Sequence, residues 1–403
     1  MPHRVTLMNL SARSEVDSTI ALYVHWPFCV SKCPYCDFNS HVRAEIDQNA
    51  WREALISDLA HEAALLPGRR LTSIFFGGGT PSLMDPATVE ALIGAATAHW
   101  SAADDIEITL EANPNSVEAS RFADLANAGV NRVSLGLQSF DDRALRFLGR
   151  AHSAREGFAA LETAQRHFRR VSFDLIYALP GDSESSWSAM LAQALSLGTR
   201  HLSLYQLTIE PGTRFASMVA RREFEPLDID AAAALYELTD AMTAAAGMPA
   251  YEISNYARRG QESRHNLTYW RYGDYAGIGP GAHGRRRGMR TVRHKKPENL
   301  LSAVSRNGHG IADEAPLSSG EAADEALVMG LRLSEGIDVN AMERRFGIPV
   351  VDWVRVDRLV ASGHLTRNSG RINLTAAGRL LLDHILGEIA ALGESAPMAS
   401  AVA

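Results

Sequence analysis

Along the first 250 residues two rhythms of apolar positions take turns. Short runs rich in β-branched and aromatic side chains lie at Ile20 to His25, Leu71 to Phe76, Asp105 to Glu111, Val130 to Gln138, Arg170 to Tyr177 and His201 to Thr208. Between them the apolar residues recur at helical spacing near Ala44 to Leu66, Pro86 to Trp100, Ser116 to Ala128, Ser153 to Phe168 and Ser183 to Leu197. The same spacing returns after the last run, over Ile229 to Ala246. Parallel strands need a long crossover between them, and amphipathic helices supply it. Six such units predict an α/β fold over residues 18–250, a parallel sheet with right-handed connections that closes as a full or partial barrel. Ligands of such a sheet gather at the carboxyl ends of its strands.

After residue 250 the rhythm changes. Residues 251–317 read as a connecting segment that ends in a basic loop. From about Gly320 helices dominate, at Glu321 to Leu333, Val339 to Phe346 and Val350 to Ser362. Leu365 to Arg367 and Arg371 to Leu374 then form a two-stranded wing, and a last helix runs from Thr375 to about Ala391. This order over 318–392 predicts a winged-helix-like C-terminal domain. Winged helices often bind DNA, but Ser318 to Glu388 holds ten acidic residues against eight arginines and no lysine. Phosphate contacts need the opposite balance, so a lid over the barrel mouth or a partner surface is expected, and no nucleic acid. Residues 1–17 and 393–403 carry no pattern and are expected to be flexible tails.

Composition narrows the picture further. The 403 residues are 46% hydrophobic with a formal net charge of -7, enough for a large core and without general attraction to nucleic acid. No apolar run approaches the length of a membrane span, and Met1 to Glu15 lacks the apolar core of a signal peptide. The chain has three cysteines, all within one window, leaving none for a structural disulfide elsewhere; a cytoplasmic protein is expected.

That window is Tyr23-Val-His-Trp-Pro-Phe-Cys29-Val-Ser-Lys-Cys33-Pro-Tyr-Cys36. Three soft thiolates this close suit zinc or an iron-sulfur cluster. A structural zinc site wants four protein ligands, and the paired knuckles that usually supply them are missing. A redox dithiol at Cys33 and Cys36 would leave Cys29 unexplained. A 4Fe-4S cubane on three thiolates leaves one iron open to a small chelating molecule.

Other unusual residues fall where strands end. Gly77-Gly78-Gly79-Thr80-Pro81 follows the second strand, and glycines there let backbone amides and carbonyls approach a ligand. Glu111 closes the third strand, Gln138 the fourth and Thr208 the sixth, while Asp174 lies inside the fifth just ahead of Ala178-Leu-Pro-Gly181. Glu111 can accept hydrogen bonds from a ribose or an ammonium.

The cysteine spacing CxxxCxxC, with an aromatic residue before the last cysteine, resembles the signature of the radical S-adenosylmethionine (SAM) superfamily. That resemblance implies a partial (β/α)6 barrel in which methionine binds the open iron of Cys29, Cys33 and Cys36. Cluster reduction there splits the sulfonium to a 5'-deoxyadenosyl radical. Phe-Gly-Gly-Gly-Thr-Pro, Leu-Gly-Leu-Gln-Ser-Phe and Asp-Leu-Ile-Tyr-Ala-Leu-Pro-Gly extend it, most of the chain being similar to oxygen-independent coproporphyrinogen III oxidases and their relatives. By this resemblance Tyr23, Gly78 and Glu111 match residues at the cluster-bound SAM. Tyr35, Gly79, Thr80, Gln138, Arg150, Asp174 and Thr208 match residues around a second SAM molecule in the oxidase, although Arg150 and Asp174 also suit a structural ion pair.

Two departures point within the family. Phe38 stands where the oxidases carry a further cysteine, and the longer N-terminal arm is absent, which resembles the haem chaperone group HemW. His265-Asn-Leu-Thr-Tyr269-Trp270 resembles the HNxxYW motif of that group, making His265 the haem-ligand candidate, with His283 a rival and His25 a support for the cysteine loop. The basic run from Arg285 to Lys296 reads as a solvated loop or a dock for haem propionates or an acidic partner, with Arg286 and Arg290 as its test residues. The expectation is a haem chaperone with a 4Fe-4S cluster and SAM. Its partners would be haem, a haem-accepting protein, an electron donor and a peripheral membrane contact; the alternative is the decarboxylating oxidase.

Overall fold

The computed structural model describes residues 18–43 and 45–391, so both expected tails lie outside the described residues. All six predicted runs become strands: β1 (Thr19–Trp26), then, after the two-residue β2 (Phe28–Cys29) and β3 (His41–Val42), β4 (Arg70–Gly78), β5 (Ser101–Ala112), β6 (Arg132–Gln138), β7 (Arg170–Tyr177) and β8 (His201–Gln206). They pair in parallel in the order β1, β4, β5, β6, β7, β8. Ile20, Leu22, Val24 and Trp26 on one face of β1 and Ala21 and His25 on the other are all buried, as a strand covered on both faces requires. Burying each such side chain stabilises by about 1.5–3 kcal/mol.

The crossover helices are Gln48–Leu65, Pro86–His99, Ala154–His167 and Glu184–Ser196, with Ile229–Ala245 after the last parallel strand. Side-chain caps from Asp47, Ser153, Ser183 and Asp228 satisfy their free amides. The single helix expected over Ser116 to Ala128 is two short ones, Ser116–Ala119 and Phe122–Asn127. Arg121 sits at the break, and its guanidinium donates to the carbonyls of Ser82 at 3.1 Å and Met84 at 2.8 Å. Thr208 does not end a strand: β8 stops at Gln206, after which the Leu207 amide donates back to the Tyr177 carbonyl.

Residues 251–317 do more than connect. They contribute β9 (Asn255–Ala257) on the β8 edge, and β10 (Tyr275–Ile278), β11 (His283–Arg286), β12 (Met289–Arg293) and β13 (Ile311–Pro316) on the β1 edge. The result is an open sheet of eleven strands, in which β10 pairs in parallel with β1 and the rest of the added strands are antiparallel. Strands of three to six residues broken by glycines carry too little periodicity to be read from the chain.

The basic run lies in this extension and is consumed by it. Arg293 is fully buried and ion-paired to Asp58 at 3.2 Å and Glu62 at 2.7 Å on the helix Gln48–Leu65. Arg286 binds Glu62 at 2.8 Å and Glu314 at 3.0 Å, and Arg285 lies 3.5 Å over the Tyr272 ring. Arg290 pairs with Asp313 at the surface. Arg285, Arg286 and Arg293 are therefore not solvated, and Arg286 and Arg290 are no open dock for propionates, while Arg287, Lys295 and Lys296 stay exposed.

The C-terminal region follows the winged-helix order: helix Ser319–Leu331, β14 (Ile337–Asp338), helices Val339–Phe346 and Trp353–Ala361, then β15 (Leu365–Asn368) and β16 (Arg371–Leu374) in a sheet ordered β14, β16, β15. The final helix is broken into Ala376–Arg379 and Leu382–Ile389. Leu327, Leu331, Val356, Ile372 and Ile385 form its own core. Arg332 to Glu252 at 3.3 Å and Arg379 to Asp240 at 2.7 Å tie it to the barrel.

Candidate functional site: the cysteine cavity

The cysteine loop begins on a rigid footing. Trp26 meets Phe28 edge-on at 5.1 Å and Trp51 at 6.1 Å, while its carbonyl accepts the Gly79 amide at 2.7 Å. Cys29 ends β2, paired with Val42 of β3, and accepts from the Thr80 hydroxyl at 3.6 Å. Cys33 and Cys36 follow in a turn closed by the Cys36 amide on the Cys33 carbonyl. All three thiols are free and partly exposed, and all line one cavity of about 230 Å³. Burial pushes the Cys29 and Cys36 thiols above their ordinary range.

Among the described residues no three His, Cys, Asp or Glu side chains converge on a single ion. A mononuclear zinc site needs that convergence. In a cubane each thiolate takes a different iron, so the sulfurs surround a shared space, as they do here. Gly79 leaves room for it: a Cβ there would stand 2.7 Å from the Phe28 carbonyl oxygen and 3.0 Å from the Cys29 sulfur. The donor set and this close backbone approach fit a 4Fe-4S cluster, and the buried, unpartnered Oε1 of Gln138 fits a polar ligand beside it.

The same cavity collects Tyr35, Gly78, Gly79, Thr80, Glu111, Gln138, Arg150 and Asp174. Tyr23 lines the neighbouring spaces instead, and Thr208 does not line this one. Gly78 has φ +112°, and a Cβ would strike His25 Cε1 at 2.6 Å; its amide donates to Glu111 at 3.2 Å. Burial, aided by the nearby Asp174 charge, pushes the Glu111 carboxyl up to about 8, and burial pushes Asp174 up to about 6. Arg150 turns to the Cys33 sulfur at 3.4 Å, Asn113 Oδ1 at 2.5 Å and the Gly136 carbonyl at 3.0 Å. Asp174 accepts from Ser134 at 3.1 Å, so among the described residues the two do not form an ion pair.

His25 supports the loop as expected. Its Nδ1 meets the Tyr23 hydroxyl and its Nε2 the Asn39 carbonyl, both at 2.9 Å, and burial lowers it to about 4, which keeps the ring neutral. Sequence reading missed Asn39 and Asn113. The Asn39 side chain donates to the carbonyls of Pro280 at 2.8 Å and Lys295 at 2.9 Å, binding the cysteine loop to the sheet extension. The Asn113 amide donates to Thr80 at 3.2 Å. Asn113 stood in the Glu-Ala-Asn-Pro run at a strand end, which was its signal; Asn39 carried none.

His265 is not presented as a free ligand. It lies on the helix Arg264–Trp270, is 1% exposed and stacks on Phe75 at 4.9 Å. Its Nδ1 meets Ser73 Oγ at 3.0 Å and its Nε2 the Tyr269 hydroxyl at 2.6 Å. Burial lowers it to about 3. Iron ligation would have to displace Tyr269 from a buried hydrogen bond.

The sequence profile of the Radical SAM superfamily matches residues 23–194, and that of the HemN C-terminal domain matches residues 317–381. The Escherichia coli (strain K12) heme chaperone HemW is 38% identical over 91% of this chain and 97% of its own length. The chain belongs to the radical SAM superfamily, in its HemW group. The Bos taurus protein "Radical S-adenosyl methionine domain-containing protein 1, mitochondrial" is 43% identical over 90% of this chain and 82% of its own length. The Escherichia coli coproporphyrinogen III oxidase HemN shares the fold, with a TM-score of 0.77, 23% identity and coverage of 92% of this chain and 90% of its own. Membership of the superfamily implies a 4Fe-4S cluster and SAM. No helix of the described residues is long and apolar enough to cross a membrane.

Proposed function

We propose that this protein is a haem chaperone that binds haem and passes it to an acceptor protein, carrying a 4Fe-4S cluster on Cys29, Cys33 and Cys36. The observation that carries this reading is the 38% identity to a heme chaperone along nearly its whole length. Phe38 supports it by standing where the oxidases have a cysteine, as does the His265 to Trp270 segment. Cluster and SAM together supply one-electron reductive chemistry when bound.

The chain's own residues then have definite roles. Tyr23, Gly78 and Glu111 form the wall for the SAM on the open iron, with His25 holding the Tyr23 hydroxyl from behind. Tyr35, Gly79, Thr80, Gln138, Arg150 and Asp174 shape the rest of the cavity, with Thr208 standing apart, beyond the end of β8. Arg150 holds a cation against Cys33 and so biases the cluster's charge balance. The other partners of this reading are an electron donor for the cluster and a peripheral membrane contact for haem delivery, with no nucleic acid. Three free thiols support a cytoplasmic setting.

One experiment separates this from the oxidase reading. Reconstituted protein receives coproporphyrinogen III, SAM and reductant in one vessel and haem in another. A stoichiometric Soret shift without decarboxylation is the expected result; decarboxylation at enzymatic turnover overturns the proposal.

A further inference from the structure

A second, larger cavity of about 550 Å³ shares Lys32, Phe38 and Ser40 with the cysteine cavity. Its size falls within the range of about 300–1,000 Å³ that encloses sizeable organic ligands. One wall is aromatic, made by Tyr269, Trp270 and Tyr275, with Tyr269 edge-on to Tyr275 at 4.5 Å. Met329 of the C-terminal domain closes another side. Its charges are Lys32, Lys295 and Arg285 against the single carboxylate of Asp37. Among the described residues neither lysine is ion-paired, in a protein whose net charge is -7.

The imidazoles around this space differ in what they have left to offer. Both ring nitrogens of His25 are engaged, and so are both of His265 in the wall behind. His41 lends its Nε2 to Asn39 Oδ1 at 3.3 Å. His283, on β11, is exposed to the cavity, and among the described residues no hydrogen bond holds its ring. Burial and the Lys295 charge lower its pKa, so the ring is neutral at neutral pH, the form that binds a metal.

We propose that this cavity is the haem site, with His283 as the ligand to iron, Lys32 and Lys295 as the partners of the propionates, and Trp270 and Tyr275 against the porphyrin. The assignment rests on the chaperone reading above and deepens it. It also changes the part played by the His265 segment. His265 becomes a positioning residue that fixes Tyr269 by its 2.6 Å hydrogen bond, while Tyr269 and Trp270 face the ligand. Because Phe38 borders both cavities, haem would sit directly beside the cluster and nucleotide.

The test is a haemin titration of the full chain, followed by its Soret band and EPR spectrum, for wild type, His283→Ala, His41→Ala and His265→Gln, with circular dichroism to confirm folding. His283→Ala is expected to weaken binding about tenfold or more and lose the imidazole-bound spectrum. Added imidazole is expected to restore that spectrum; the other two variants are expected to keep the axial imidazole signature, with His265→Gln weakening haem binding through its lost hold on Tyr269. Haem that binds His283→Ala with unchanged affinity and spectrum, or whose axial signature is lost in His41→Ala instead, overturns the site and leaves the chaperone reading standing. Wild-type protein that binds no haem overturns both.

Discussion

The guanidinium of Arg150 stands 3.4 Å from the sulfur of Cys33, carried there by the loop after the helix Asp142–Phe147. Its second contact, on Asn113 Oδ1 at 2.5 Å, fixes the direction from which the charge acts. A cation beside a thiolate ligand stabilises the more negative, reduced cluster. Arg150→Met is therefore expected to retain iron while lowering the cluster midpoint potential by on the order of tens of millivolts. An EPR-monitored redox titration reads this directly, and an unchanged potential would show that the contact does not act on the cluster.

Backbone room at Gly79 makes a second prediction. An added methyl would meet the Phe28 carbonyl at 2.7 Å, a fixed backbone atom, as well as the Cys29 sulfur. Gly79→Ala is expected to lose most cluster iron with the barrel still folded, and Cys33→Ala to lose the brown chromophore. Iron assay and circular dichroism check both; full iron in Cys33→Ala would defeat the ligand assignment.

The buried arginines of the sheet extension separate structure from surface. Arg293→Met strips Asp58 and part of Glu62 of their cation in a fully buried setting, a change that costs about 3–5 kcal/mol. Arg290→Glu breaks only an exposed pair with Asp313, expected to cost under about 1 kcal/mol. Urea denaturation of the two variants should differ in that order.

Stability should also fall with rising pH because of Glu111. Its folded-state pKa, about 8, lies above the ordinary 4.5, so the native protein keeps a proton that the unfolded chain releases. The associated stability is full below pH 4.5 and is lost as pH rises through about 8. Asp174, raised from 3.8 to about 6, acts in the same direction. Glu111→Gln in cluster-free protein should flatten the slope between pH 5 and 8 by up to about 1.4 kcal/mol per pH unit. Parallel denaturation curves for wild type and variant would contradict this.

Much of this architecture was legible in advance because its signals are local. Apolar periodicity marks a strand or helix from within a few residues, so all six parallel strands and the winged-helix order could be read off the chain. The cysteine window was legible for the same reason, its ligands lying within eight residues. Thr208 failed because strand ends depend on pairing, and the last partner of β8 is Gln206, opposite Tyr177.

The remainder depends on partners distant in sequence. The Arg285 to Lys296 run looks like a solvated loop until Asp58 and Glu62, more than two hundred residues away, are placed beneath it. His265 looks like a ligand until Ser73 and Tyr269 occupy its nitrogens. The sequence alone determined the barrel's strands and the cysteine cluster motif, because neighbouring residues dictate both. Only the tertiary structure decided which charges are buried in pairs and which imidazole is left open, because hydrogen bonds and ion pairs are settled by contacts between distant segments.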